Sequence, residues 1–181
     1  MIHTVGIMGE RKRMGDIQVA IVMGSESDLP EMQKAADILV KFGVNYFMTV
    51  ASAHRTPERV IGLTKRAEAE NWKIFIAGAG MAAHLAGFIA AHTIKPVIGV
   101  PMDSSALKGL DSLLSTVQMP GGVPVATVGL GSAGAKNAAL LAIEILALND
   151  DSLKSKLLDY RKEQAQIIQE KAMEVEKSSN R

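Results

Sequence analysis

Short apolar runs rich in β-branched residues alternate along this chain with amphipathic stretches whose apolar positions recur every three to four residues. The first run, residues 18–23, has no polar alternation, which suits a strand buried on both faces. Gly24-Ser-Glu-Ser-Asp28 breaks it, and Asp28 then reads as a helix N-cap, with Pro30 in the first turn and Glu31 three residues after the cap. Met32, Ala36, Leu39 and Val40 carry that helix to Phe42, and Gly43 ends it. The unit then repeats. Residues 45–50 predict a second strand, and Thr56 with Pro57 opens a helix to about Asn71. Residues 73–77 predict a third strand ending in Gly78-Ala-Gly80. Residues 81–93 are apolar nearly all round, so a buried helix is expected there. A fourth strand over 96–100, a helix over 105–117, a fifth strand over 123–130 and a helix over 131–148 complete the series. After Asn149-Asp-Asp151 comes a last helix of about 25 residues, with Leu153, Leu157, Tyr160, Ile167, Ile168, Met173 and Val175 mainly on one stripe.

This alternation implies a parallel five-stranded sheet with right-handed crossovers and helices on both faces, a three-layer α/β/α fold. In such sheets ligands sit outside the carboxyl ends of the strands. Ser25–Asp28, Ser52–Pro57 and the stretch from Gly78 all follow strands, so all are expected on one rim. Residues 17–150 form the expected catalytic domain. Residues 1–16 lack periodicity and are expected to be a loosely attached leader. Residues 151–181 carry more apolar surface than one sheet edge can use, so this helix either joins subunits or folds back on its own domain.

Composition narrows the chemistry. Twenty basic against nineteen acidic side chains argue against a broad nucleic-acid or membrane-surface footprint. Absence of cysteine excludes disulfides, thiolate catalysis and zinc-thiolate sites. No apolar run approaches the ~20 residues that span a bilayer, and Arg11-Lys-Arg13 is not followed by a signal-like stretch, so a cytoplasmic protein is expected. No histidine pair has ligand spacing, and no metal site is expected.

Candidate chemistry therefore rests on the rim. Ser25, Ser27 and the amides opening the first helix could hold a phosphate, although an ordinary serine turn with an Asp28 cap explains the same residues. Asp28 could also accept a ligand hydroxyl. Arg55 can grip phosphate or carboxylate through two parallel donors, against the bland alternative of a solvated loop arginine. His54 is suited to moving protons at neutral pH, but a lone loop histidine is more often structural. His84, at the start of the apolar helix, reads equally as a satisfied core histidine. Gly78-Ala79-Gly80 permits close ligand approach or tight helix–sheet packing. His3 and His92 have no companion signal.

Gly24-Ser-Glu-Ser-Asp28, Ser52-Ala-His-Arg-Thr-Pro57, Ala77-Gly-Ala-Gly-Met-Ala-Ala-His-Leu85, Ser112-Leu-Leu-Ser-Thr-Val-Gln-Met-Pro120, Gly122-Val-Pro-Val-Ala-Thr127 and Asn137-Ala-Ala-Leu-Leu141 occur in that order. As a set, over roughly residues 18 to 148, they resemble the N5-carboxyaminoimidazole ribonucleotide mutases of purine biosynthesis. The resemblance implies a flavodoxin-like fold and a homo-octamer with C-terminal helices packed on neighbours. It implies carboxylate migration from the exocyclic nitrogen of the ribonucleotide to the adjacent ring carbon, without cofactor or metal. It implies Ser25 and Arg55 on the phosphate, Asp28 on the ribose, and Ser27, Ser52 and Ala53 beside them. His54 is the implied acid–base residue, and Gly78, Ala79, Gly80, His84 and Leu85 line the base and migrating carboxylate. A transient contact with the enzyme that makes the N-carboxylated substrate is a further expectation.

The chain departs from the family pattern at Met81, where glycine is common, at Ala86, where proline is frequent, and at Leu29, which replaces an often aromatic residue. A positive φ at residue 81 would cost a methionine ~1–2 kcal/mol. The rival readings are an aminoimidazole ribonucleotide carboxylase using free CO2, a phosphate- or nucleotide-binding module without catalysis, and a scaffold assembled through the terminal helix. Relatives of the carboxylase type tend to carry lysine after the motif histidine, which makes Arg55 a mark of the mutase.

Overall fold

A computed structural model describes residues 17–179. The expected leader and His3 lie outside the described residues. Five parallel strands, β1 (Val19–Met23), β2 (Tyr46–Val50), β3 (Ile74–Ala79), β4 (Val97–Pro101) and β5 (Ala126–Thr127), form one sheet in the order β2-β1-β3-β4-β5. The helices are α1 (Leu29–Phe42), α2 (Pro57–Ala69), α3 (Leu85–Ala90), α4 (Leu110–Val117), α5 (Gly131–Ala147) and α6 (Asp151–Ser179). This is the flavodoxin-like three-layer α/β/α arrangement expected from the alternation.

All five residues of β1 are buried, as a central parallel strand requires. Val19, Ile21 and Met23 join the core beneath α1 and α5, whereas Ala20 and Val22 join the core with Val60, Leu63, Leu85 and Ile89. Burial of both side-chain sets fixes register, because a one-residue slip would exchange the two cores. Gly43 ends α1 in the left-handed region at φ 76°, where its amide bonds the Val40 carbonyl at 3.0 Å.

Four expected boundaries shift, each for a local reason. The helix expected over 81–93 shrinks to Leu85–Ala90, because Met81 has φ 55° and cannot continue a right-handed turn. At that angle a methionine carries the ~1–2 kcal/mol cost of the left-handed region, which glycine would not. The helix expected from 105 begins at Leu110, because Lys108 and Gly109 also have positive φ. The fifth strand keeps only Ala126 and Thr127 of residues 123–130. Pro124 has no ladder donor and Gly122 turns at φ 98° just before it. The terminal helix runs 29 residues, and its stripe divides. Leu153, Leu157 and Tyr160 pack on the α1/α5 core, whereas Ile168, Met173 and Val175 are exposed.

Candidate active site

The carboxyl ends of β1 to β4 open into one cleft of about 560 Å³. Ser25, Ser27 and Asp28 come from the turn after β1, and Ser52, Ala53, His54 and Arg55 from the loop after β2. Ala79 ends β3 and Gly80 follows it, and His84 and Leu85 open α3. Gly78 is the one predicted residue outside the lining. It lies within β3, where its Cα faces the Met32 and Met102 side chains. Gly24 and Ser104 line the cleft without having been expected there, and Met81 and Ala82 do so inside the expected Gly78–Leu85 stretch. Ser104 was findable: it follows β4 as Ser25 follows β1 and Ser52 follows β2. Gly80 admits it, since a Cβ on Gly80 would overlap the Ser104 hydroxyl.

Asp28 and Thr56 depart from their expected capping roles. Residues Glu26–Asp28 form a 3-10 turn that runs directly into α1, so Asp28 is already helical and its carboxylate caps nothing. The Ser25 hydroxyl caps this turn instead, accepting from the Ser27 amide at 3.4 Å and the Ser27 hydroxyl at 2.9 Å. Thr56 Oγ1 accepts from the Ser52 amide at 2.9 Å and lies 3.2 Å from the Ser52 carbonyl, which closes the histidine loop on itself. Arg59, one turn into α2, ties that helix to the end of β2 through the Val50 carbonyl at 3.0 Å and the Thr49 hydroxyl at 2.9 Å.

Arg55 reaches across the rim, and its Nη2 donates to the Gly24 carbonyl at 2.9 Å. That bond links the loops after β1 and β2 and occupies one part of the guanidinium fork, leaving other donors to a ligand. Asp28 is 5% exposed, and this burial raises its carboxyl above the ordinary range. Hydrogen bonds from Ser27 and Ser25 and the charge of Arg55 oppose that shift. A raised folded-state pKa favours the neutral form, so the Asp28 contribution to stability is present below the unfolded value near 3.8 and is lost as pH rises through the folded value. Ionised Asp28 therefore destabilises the ligand-free fold at neutral pH. Asp28→Asn is expected to raise the melting temperature at pH 7, with the difference closing as pH falls towards 4. Thermal scans across pH check this; a less stable variant at pH 7 would refute it.

His54 is exposed, and so is His84, which corrects the reading of His84 as a core histidine at the start of a buried helix. His54 Nε2 lies 2.8 Å from His84 Nδ1, with the rings nearly perpendicular at 79°. At that distance one nitrogen donates and the other accepts, so one proton stands between the rings. Moving a proton at His54 thus changes the demand on His84. Among the described residues, no three histidine, aspartate or glutamate side chains converge as metal ligands would.

A cleft at the carboxyl ends of a parallel sheet, beside the switch between β1 and β3, with a histidine pair, a buried carboxylate and an arginine, defines an α/β enzyme for a small anionic substrate. The comparisons give this class a family. A family model described as AIR carboxylase matches residues 18–167. The N5-carboxyaminoimidazole ribonucleotide mutase of Pyrococcus horikoshii is 56% identical over 158 residues, covering 87% of this chain and 88% of that protein. The mutase of the same name from Escherichia coli K12 is 51% identical over 158 residues, with 87% and 94% covered. The crystal structure of Treponema denticola PurE matches with a TM-score of 0.77 at 36% identity, over 84% of this chain and 94% of that one. The chain belongs to the AIR carboxylase family.

Proposed function

We propose that this chain is an isomerase of IMP biosynthesis. It converts N5-carboxyaminoimidazole ribonucleotide to 4-carboxy-5-aminoimidazole ribonucleotide. The observation that carries this reading is the His54–His84 contact at 2.8 Å, facing a cleft that also holds Ser25, Asp28 and Arg55. Ser25 and Arg55 bind the phosphate, and Asp28, free of capping duty, accepts from the ribose hydroxyls. Ser27, Ser52 and Ala53 shape that end of the cleft, while Ala79, Gly80, His84 and Leu85 line the base and its carboxylate.

The chemistry balances without a cofactor. His54 gives a proton to the carbamate nitrogen, the nitrogen–carbon bond breaks, and CO2 leaves a neutral, electron-rich aminoimidazole. The ring carbon attacks the trapped CO2, forming the carbon–carbon bond at high effective concentration. The now tetrahedral carbon returns its proton to His54, which is restored. A non-catalytic binding module would explain Arg55 and the helix start but gives the histidine pair no task.

Labelled bicarbonate separates the rivals. With the N-carboxylated ribotide as substrate, product free of label is expected. Labelled product would instead support a carboxylase using free CO2, and absence of product a binding module or scaffold.

The proposal extends to assembly and setting. The apolar distal part of α6, with Ile168, Met173 and Val175 exposed, together with exposed Leu110, Leu114 and Val117 on α4, supports packing against further copies, as a homo-octamer. Light scattering that returned the mass of one chain would overturn it. Among the described residues no helix is long and apolar enough to cross a membrane. The cytoplasm is the proposed location, and recovery in the membrane fraction would refute it. The short-lived carbamate favours brief contact with the enzyme that makes it. If excess inactive His54→Asn protein leaves coupled flux from that enzyme unchanged, no such contact is required.

A further inference from the structure

No residue of the motif Ser112–Pro120 lines the cleft. Its serines instead face the loops that do. Ser112, fully buried on α4, lies 2.6 Å from the Met102 carbonyl, at the root of the loop that carries Ser104. Ser115, one turn on, meets the loop between β3 and α3. Its hydroxyl accepts from the Ala83 amide at 3.0 Å and lies 3.3 Å from the Met81 carbonyl, so it touches the backbone on both sides of Ala82.

Ser115 has one proton, and the Asp111 carbonyl, one turn back and 2.7 Å away, is the nearest acceptor for it. That back-bond turns a lone pair towards the Ala83 amide. Ala83 is 1% exposed, so its amide needs this acceptor. The segment Ser115 holds contains Met81 at φ 55°, a conformation a methionine does not favour alone, and it leads directly into His84. His84 in turn stands 2.8 Å from His54.

We infer that Ser115 is a positioning residue for the proton-transfer pair. Without touching substrate, its hydroxyl fixes the backbone before His84 and thereby the distance between the two imidazoles. The inference rests on the reading of His54 as the proton-transfer residue. The phosphate and ribose groups of the site lie on the loops after β1 and β2, which Ser115 does not contact. Its removal therefore acts on turnover rather than on ribotide binding.

Ser115→Ala is expected to lower kcat about 10–100-fold, the scale that a displacement of about 1 Å produces in a catalytic group, with KM close to wild type. Ser115→Thr, which keeps the hydroxyl, restores most of the loss. Nitrogen-15 spectra of the imidazoles in the ligand-free protein give a readout that does not depend on turnover. The signals of His54 and His84, assigned by His54→Asn and His84→Asn, shift in Ser115→Ala and return in Ser115→Thr. If Ser115→Ala fails to fold, Ser115→Cys, a near-isostere with a weak acceptor, takes its place in both measurements. Unchanged kcat with unchanged imidazole signals overturns the inference, as does a proportional rise in KM. Shifted signals in a protein without mutase turnover would support the positioning role while refuting the proposed reaction.

Discussion

Replacing His54 with asparagine is expected to lower turnover by about 10²–10⁴-fold, the range that positioned acid–base groups contribute, while ribotide affinity stays close to wild type. The expectation follows from how the cleft divides its work. In the proposed function the turn after β1 and Arg55 hold the phosphate and ribose, and the Arg55 guanidinium is pinned to the Gly24 carbonyl rather than to the histidine. Asparagine can keep a polar contact with His84, so the cleft wall holds its form. What it cannot do is give a proton and take one back, and the proposed reaction needs both from one group. Titration calorimetry with the ribotide and an absorbance assay for the product measure the two quantities separately. Lost affinity with residual turnover would assign His54 to binding and leave the proton chemistry without an owner.

The layout of the fold was largely legible because parallel strands buried on both faces leave an unambiguous apolar signature. Val19–Met23 shows it plainly: five buried residues, no alternation, and a polar break at Gly24. The ends of elements were less legible where backbone angle rather than hydrophobicity decides them. Residues 81–84 are apolar enough to read as helix, yet Met81 at φ 55° holds them out of it. Residues 123–130 read as a strand by composition, yet two pair with β4, because a proline and nearby glycines limit the ladder.

The site was legible as a rim but not as a geometry. Spacing could say that Ser25, Ser52 and Gly80 end consecutive strands. It could not say that His54 and His84, thirty positions apart, would meet at 2.8 Å. Nor could it separate a cap from a ligand group. Asp28 and Thr56 both occupy positions that N-caps favour, and neither side chain caps. In each case a neighbour removed the need: the preceding 3-10 turn for Asp28, and the hydrogen bonds to Ser52 for Thr56. Ser115 was hidden for a related reason, since its effect runs through the backbone of a loop far from it in sequence.

Arg55→Lys is the sharper test of how the substrate is held. Both side chains carry one positive charge, so a purely electrostatic site would scarcely distinguish them. Arg55, however, is proposed to meet two demands at once: Nη2 donates to the Gly24 carbonyl at 2.9 Å, and the rest of the fork would take the phosphate. A lysine ammonium is a single point of charge on a flexible stem and must choose between them. Hydrogen bonds to charged groups contribute about 1.5–3 kcal/mol. At about 1.4 kcal/mol per factor of ten, KM is expected to rise roughly 10–100-fold in Arg55→Lys, with kcat little changed, and further in Arg55→Ala. In that proposal Arg55 contributes uniform binding rather than an interaction special to the transition state, so the proton chemistry is expected to stay intact. Steady-state kinetics, with ribose 5-phosphate as a competitive probe of the anion site, measure this directly. The probe's inhibition constant should rise in step with KM. A fall in kcat at constant KM would instead mean that the Arg55–Gly24 bond serves to hold the histidine loop, and that the phosphate is anchored elsewhere on the rim.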